Sequence, residues 1–297
     1  MELRALGRTG AKVSRLGFGG APIGIENYLG LENRDDKTFV AHAVSAVREA
    51  VRAGITYFDT APGYGNGRAE SVYGEGLEGA RDGVFLATKY TWAPGKAVGA
   101  LAGEFGASLE RLKTRKVDLL QFHGSTFTDE AADTLLKSGV IEWTEEERAR
   151  GRTRFLGITA EAPSGGLERL MRTGRFDVLL VAYNLIYQAA CDYQREPFGV
   201  IPLARSLGMG VAVMRPTTSG FLQKLFAKEF PQVDRAKVTR AALNFVLSTP
   251  EVDVAVVGMR SPEEVRENAA LEADKASRMD LKFLHNRFDS EAGHGYR

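Results

Sequence analysis

Cysteine is nearly missing from this chain. A single residue, Cys191, occurs among 297, which excludes an intrachain disulfide framework, leaves no CxxC or Cys/His spacing for a metal, and suits a reducing compartment. Long hydrophobic runs are missing as well. Stretches such as VLLVAY at 178 to 183 are far too short to cross a bilayer, and the opening MELRALGRTG lacks the apolar segment of a signal peptide. Nor is there an excess of charge of one sign. Lys plus Arg number 39 against 38 Asp plus Glu, a net charge of +1, so the chain carries no basic footprint for nucleic acid. These absences point to a soluble, cytoplasmic protein with a small-molecule partner and neither a nucleic-acid nor a membrane partner; oligomeric state is left open.

What is present is a repeated pattern. With 44% hydrophobic residues the chain can bury one large core, and eight short β-prone apolar runs recur along it: RLGFGGA (15–21), ITYFDTA (55–61), VFLATKY (84–90), VDLLQFHG (117–124), RFLGITA (154–160), DVLLVAYN (177–184), GVAVMRP (210–216) and DVAVVGM (253–259). Segments with one-sided helical spacing lie between them, such as Val40, Val44, Val47 and Val51, then Leu101, Phe105, Leu109 and Leu112. Strand then helix, eight times, predicts an α/β fold of the closed (β/α)8 TIM-barrel type. The leading residues read as a short β-hairpin turning at Gly10 and capping the barrel bottom. No linker or low-complexity tract interrupts the series, so residues 1–297 are expected to form a single domain.

Barrel catalysis is built at the C-terminal ends of the strands, and here three consecutive strands end in proton-handling residues: Asp59 with Tyr64 on the following loop, Lys89, and His123. Each alone has a plain structural reading. Asp59 could cap the Pro-Gly turn, Tyr64 could be a rim aromatic, and His123 a satisfied core histidine. Lys89 closes the apolar run VFLAT, and a buried lysine calls for a carboxylate. As a group they make chemical sense: Lys89 beside Tyr64 would favour the phenolate, Asp59 would orient Lys89, and His123 could hydrogen-bond the phenol or a substrate oxygen. Such a tyrosine can protonate a carbonyl oxygen while hydride reaches the carbon. No side chain supplies hydride, so a nicotinamide cofactor is required.

FDTAPGYG, ATKY and LLQFHG at these separations, with LGRTGAKVSRLGFGG before them and VVGMRSPEEVRENAA after, closely resemble the aldo-keto reductase superfamily over about residues 3–270. The resemblance implies a nicotinamide-dependent oxidoreductase acting on a carbonyl or alcohol, with Asp59, Tyr64, Lys89 and His123 as catalytic residues. It also implies cofactor contacts from Gly20, Ala21, Asp59 and Thr159, from Met214, Arg215 and Pro216, from Ser219, Gly220, Phe221 and Leu222 in the TTSGFL loop, and from Gly258, Arg260, Ser261, Glu264, Glu267 and Asn268. Several positions depart from the family pattern. Thr159 and Ala160 replace the usual Ser-Asn, Leu180 the usual Gln, and Met214 the stacking aromatic, leaving Thr159 as the expected carboxamide partner with Arg215 and Asn184 as polar groups nearby. In SPEE, Ser261 and Glu264 form a capping box around Pro262, which by itself explains those residues. Arg260 at the same helix start favours NADP(H), with NAD(H) as the alternative. Tyr28, Tyr90, Trp92 and Phe127 are the candidate substrate walls, and the tail from 280 is read either as a cover for the pocket or as unfolded chain. Two rival functions stay open: a cofactor-binding regulatory subunit, and an epimerase-type sugar-modifying enzyme that recycles its nicotinamide.

Overall fold

The computed structural model describes residues 1–26, 28, 37–192 and 199–283; the stretch 284–297, most of the tail read as a pocket cover, lies outside them. Two strands, β1 (Leu3–Ala5) and β2 (Lys12–Ser14), pair antiparallel. Eight more follow: β3 (Leu16–Gly19), β4 (Tyr57–Asp59), β5 (Phe85–Tyr90), β6 (Val117–Phe122), β7 (Thr153–Ala160), β8 (Val178–Ala182), β9 (Gly210–Met214) and β10 (Val254–Gly258). All eight are parallel and close on themselves, β10 pairing with β3. The described helices are α1 (Ala21–Gly24), α2 (Lys37–Arg52), α3 (Arg68–Gly76), α4 (Gly99–Arg111), α5 (Asp129–Lys137), α6 (Val140–Ala149), α7 (Gly165–Arg172), α8 (Val200–Ser206), α9 (Phe221–Glu229), α10 (Arg235–Leu247) and α11 (Pro262–Ala273). Each of the eight expected runs contains one barrel strand, so the (β/α)8 reading holds.

Two cores result from the pleat, because successive strand side chains point to opposite faces. One set fills the barrel interior: Tyr57, Phe85, Leu119, Val178, Ala212 and Val254. The other meets the surrounding helices, whose apolar stripes include the Val44 and Val47 row of α2 and Leu101 and Phe105 of α4. The hairpin seals the bottom by sending Leu6 and Val13 into the interior core. Gly10 sits in the left-handed region at φ 71°, as its turn requires, and Gly7 has no room for a side chain, since a Cβ there would lie 2.1 Å from the Gly210 nitrogen.

The bottom rim repeats one device. Asp118, Asp177 and Asp253 stand at the starts of β6, β8 and β10, and each accepts a backbone N–H from the preceding strand: Leu86 at 2.9 Å, Leu156 at 3.0 Å and Val211 at 2.9 Å. Arginines close the remaining valences, Arg81 and Arg154 on Asp118 and Arg205 on Asp253. Ser14 and Thr56 exchange hydroxyl and backbone bonds at 2.8 Å in the equivalent place beside β3 and β4. Among the described residues no helix is long and apolar enough to cross a membrane.

Candidate active site

The period of two that fills the barrel also loads its upper rim. Asp59 stands two residues above the inward-facing Tyr57, Lys89 two above Ala87, and Gln121 two above Leu119, so all three point into the barrel at one level. Lys89 and Gln121 are cross-strand partners, and both reach the same carboxylate. Lys89 Nζ donates to Asp59 Oδ1 at 2.5 Å and to the Thr60 carbonyl at 2.8 Å, while Gln121 Nε2 donates to Asp59 Oδ2 at 2.8 Å. Gly157 on β7 makes space for this arrangement, because a Cβ there would come within 2.7 Å of the Gln121 side chain.

Tyr64 reaches the group from the loop after β4. Its backbone closes a turn onto Ala61 and lies against α1 so tightly that a Cβ on Gly65, at φ 65°, would meet the Gly24 carbonyl oxygen at 1.9 Å. That close approach fixes where the phenol points. The Lys89 ammonium stands 4.9 Å from the Tyr64 ring centroid, and the ring meets His123 edge to face at 5.8 Å. The four expected residues are thus brought together.

Burial raises the Tyr64 phenol above its usual value, and the lowering effect of Lys89 does not overcome it. The Tyr64 phenol is therefore protonated at neutral pH, with Lys89 acting on it in the expected direction. Burial acts to lower Lys89, yet Asp59 and Tyr64 together leave it raised, so the ammonium stays charged. His123 is brought down to about 4, mainly by burial and then by Lys89, which makes it a neutral imidazole near pH 7.

A cavity of about 1210 Å³ opens above these groups and continues between the starts of α10 and α11. A strained turn forms part of its wall: Arg215, Thr218 and Ser219 all adopt positive φ (60°, 55° and 54°), conformations that L side chains disfavour, and Gly220 follows at 78°.

A model of the Aldo/keto reductase family matches residues 15–238, more than half of the chain. The chain belongs to this family of oxidoreductases. Among curated relatives, an L-galactose dehydrogenase of Arabidopsis thaliana is 32% identical, covering 91% of this chain and 88% of its own length. The aldo-keto reductase YhdN of Bacillus subtilis is 36% identical over 89% and 87%. Among solved structures, the holo form of an aldo-keto reductase from Bacillus halodurans superposes with a TM-score of 0.73 at 24% identity, covering 97% and 95%. One from Klebsiella pneumoniae, in complex with NADP and acetate, gives 0.73 at 23% identity, covering 95% and 93%.

Against the aldo-keto reductase expectation, the cavity walls divide. Gly20, Ala21, Asp59, Thr159, Met214, Arg215, Pro216, Ser219, Gly220, Gly258, Arg260, Glu264, Glu267 and Asn268 line it, and so does Tyr28. Others do not. Tyr90 follows the inward Lys89, so the pleat turns it outward, where it packs edge-on against Phe122 and Trp143. Phe127 is buried against Phe122. Trp92 donates its indole N–H to the Lys96 carbonyl and packs on the outer core. Leu222 belongs to a satellite core with Val238 and Ala242, and Phe221 stands 59% exposed outside the wall. Ser261 is occupied as an N-cap, accepting the Glu264 N–H at 3.3 Å.

Polar groups expected near the cofactor are also committed elsewhere. Thr159 Oγ1 accepts the Gly124 N–H at 2.9 Å and donates to the Gly124 carbonyl at 3.3 Å, so its only hydroxyl proton is engaged. Asn184 Oδ1 accepts the N–H groups of Ile186 and Tyr187 and shapes a loop. Arg215 pairs with Glu161 at 2.8 Å. Glu264 closes its box on Arg260, taking the Arg260 N–H at 2.7 Å and its guanidinium at 3.1 Å. Gln121 was missed by sequence reasoning although it stands inside LLQFHG, two residues before His123 and hence on the same face. Glu161, Arg235 and Lys237 were missed too, for want of any motif around them.

Proposed function

We propose that this chain is a nicotinamide-nucleotide-dependent oxidoreductase interconverting a carbonyl and an alcohol on a small molecule, using NADP(H), with Tyr64 as the general acid and base. One observation carries the reading: a buried, charged Lys89 is held by Asp59 at 2.5 Å and faces the Tyr64 ring at 4.9 Å on the wall of a large cavity. When bound, the nicotinamide supplies the hydride that no side chain provides. The residues available to hold such a dinucleotide run from Gly20 and Ala21, past Met214 and the strained Arg215–Gly220 turn, to Gly258, Glu267 and Asn268. The size of the cavity suits a ligand larger than an ordinary metabolite, since small-molecule pockets commonly span roughly 300–1,000 Å³. The Klebsiella pneumoniae relative described with NADP supports the same cofactor.

In the reductive direction Tyr64 Oη donates its proton to the substrate oxygen as negative charge develops there. Lys89 stabilises the phenolate left behind, which offsets part of the burial that keeps the phenol protonated. Asp59 and Gln121 hold Lys89 in place, and neutral His123 offers a hydrogen bond at the rim without adding charge. In the oxidative direction the phenolate accepts the alcohol proton.

Purified protein supplied with NADPH or NADH and a panel of aldehydes and ketones, or with the oxidised nucleotides and a panel of alcohols and sugars, should change nicotinamide absorbance with at least one substrate. The Tyr64→Phe variant should not. A parent protein silent towards the whole panel in both directions, while binding nucleotide normally, would remove the enzymatic reading in favour of a binding role.

A further inference from the structure

Six cationic side chains line the cavity, and four of them are neutralised. Lys89 lies on Asp59, Arg215 on Glu161, Arg240 on Asp274 and Arg260 on Glu264. Arg235 and Lys237, on the first turn of α10, meet no carboxylate among the described residues. Their neighbour Asp234 turns its Oδ1 to the Ala236 N–H at 2.9 Å, capping the helix. The outer half of the cavity is therefore asymmetric. On the α11 wall the cation Arg260 is engaged twice by Glu264, and Glu267 adds a second acid; on the α10 wall two positive charges stand open.

We infer that Arg235 and Lys237 hold the 2′-phosphate of NADP(H), so that the α10 wall, rather than Arg260, sets the preference of this groove for the phosphorylated dinucleotide. The inference rests on the nucleotide-binding reading above. A phosphate dianion on the α11 wall would have to displace Glu264 from Arg260 and then remain beside that carboxylate. On the α10 wall it meets a guanidinium that can bond two phosphate oxygens and an ammonium that adds a point charge, and it separates no existing pair.

Titration of the purified chain with NADPH and with NADH, read by nucleotide fluorescence, tests this. In the Arg235→Gln/Lys237→Gln double variant, NADPH should bind roughly tenfold or more weakly while NADH affinity stays near that of the parent, which also shows that the variant is folded. The NADPH loss should shrink as salt is raised, because both cations are exposed. Arg260→Gln should cost NADPH less than the double variant does. Equal losses for the two nucleotides would assign the pair to the shared pyrophosphate and overturn the inference, as would a larger NADPH loss in Arg260→Gln. Failure of the parent to bind either nucleotide would instead remove the nucleotide-binding reading on which it rests.

Discussion

The two ends of this barrel both bury carboxylates, and they use them differently. At the bottom, Asp118, Asp177 and Asp253 turn oxygens to the backbone of a neighbouring strand and to arginines that lead out to solvent. At the top, Asp59 turns one oxygen to Lys89 and the other to Gln121, and Lys89 borders the cavity beside a tyrosine. Burial is similar at the two ends: Asp118 is 5% exposed, Asp253 2% and Asp59 4%. Burial therefore does not separate the acids of the closed end from the acid beside the cavity. What separates them is where the partner cation leads, to bulk water at one end and to a tyrosine on the cavity wall at the other.

The comparison breaks most sharply at Tyr64. Tyr64→Phe should lower turnover by roughly 10²–10⁴-fold, the range for a positioned acid, with little change in stability. Lys89→Met should fall about as far, and the double variant should be little worse than either single one, because a lysine that tunes a phenol has nothing left to tune. Losses that multiply in the double variant would make Lys89 an independent contributor. The bottom should answer in the opposite currency: Asp118→Ala removes the carboxylate shared by Arg81, Arg154 and the Leu86 N–H and should cost about 3 kcal/mol in urea unfolding while leaving turnover per folded molecule unchanged. A catalytic defect there would erase the distinction between the ends.

Gln121→Leu sharpens the comparison on a smaller scale. It removes the only side-chain bond to Asp59 Oδ2 among the described residues, and bonds to charged groups are worth about 1.5–3 kcal/mol. Turnover should drop by roughly tenfold with nucleotide affinity unchanged, and a Gln121→Glu variant, which places a second acid against Asp59, should be worse. An unaltered Gln121→Leu enzyme would mean that Lys89 alone orients the carboxylate.

The smallest expected effect concerns pH. Burial holds His123 down at about 4 in the folded state, below its unfolded value near 6.5. Between those values the unfolded chain binds more protons, so the contribution of His123 is fully present above about 6.5 and is lost as pH falls towards 4. Unfolding measured at pH 7, 6, 5 and 4 should show a shallower decline in His123→Gln than in the parent. Identical slopes would place the acid sensitivity in the surface carboxylates instead, of which Glu145 is held low by Arg175.

The pattern of runs was enough to locate the barrel because β-branched and apolar residues must alternate with helices wherever both faces of a parallel strand are covered. Strand ends were harder. The apolar run RLGFGGA extends to 21, whereas β3 stops at Gly19 and α1 begins at Ala21, since apolar content continues past the last ladder bond. Tyr90, expected beyond its strand as a wall residue, is instead the last residue of β5, and counting by twos from Lys89 already turns it outward. Gln121 could have been found by that count. The pairing of Arg260 with Glu264 was half visible, because a capping box turns Glu264 back towards the helix start but points it at the Ser261 N–H, not at the N–H and guanidinium of Arg260. The positions of Arg235 and Lys237 follow from how α10 meets α11, which no local pattern encodes.

The closure of β10 onto β3 also sets a timetable. Leu16 pairs with Ala255, and Arg15 bonds the carbonyls of Leu247 and Thr249, about 240 residues later in the chain. At ribosomal rates that interval is roughly 10–50 s. For all of it the edge of β3 that will meet β10 has emerged but lacks its partner. The first barrel strand can pair with β4 early, yet its other edge waits longest in the open during synthesis, and a ribosome stalled before residue 247 would leave a barrel that cannot close.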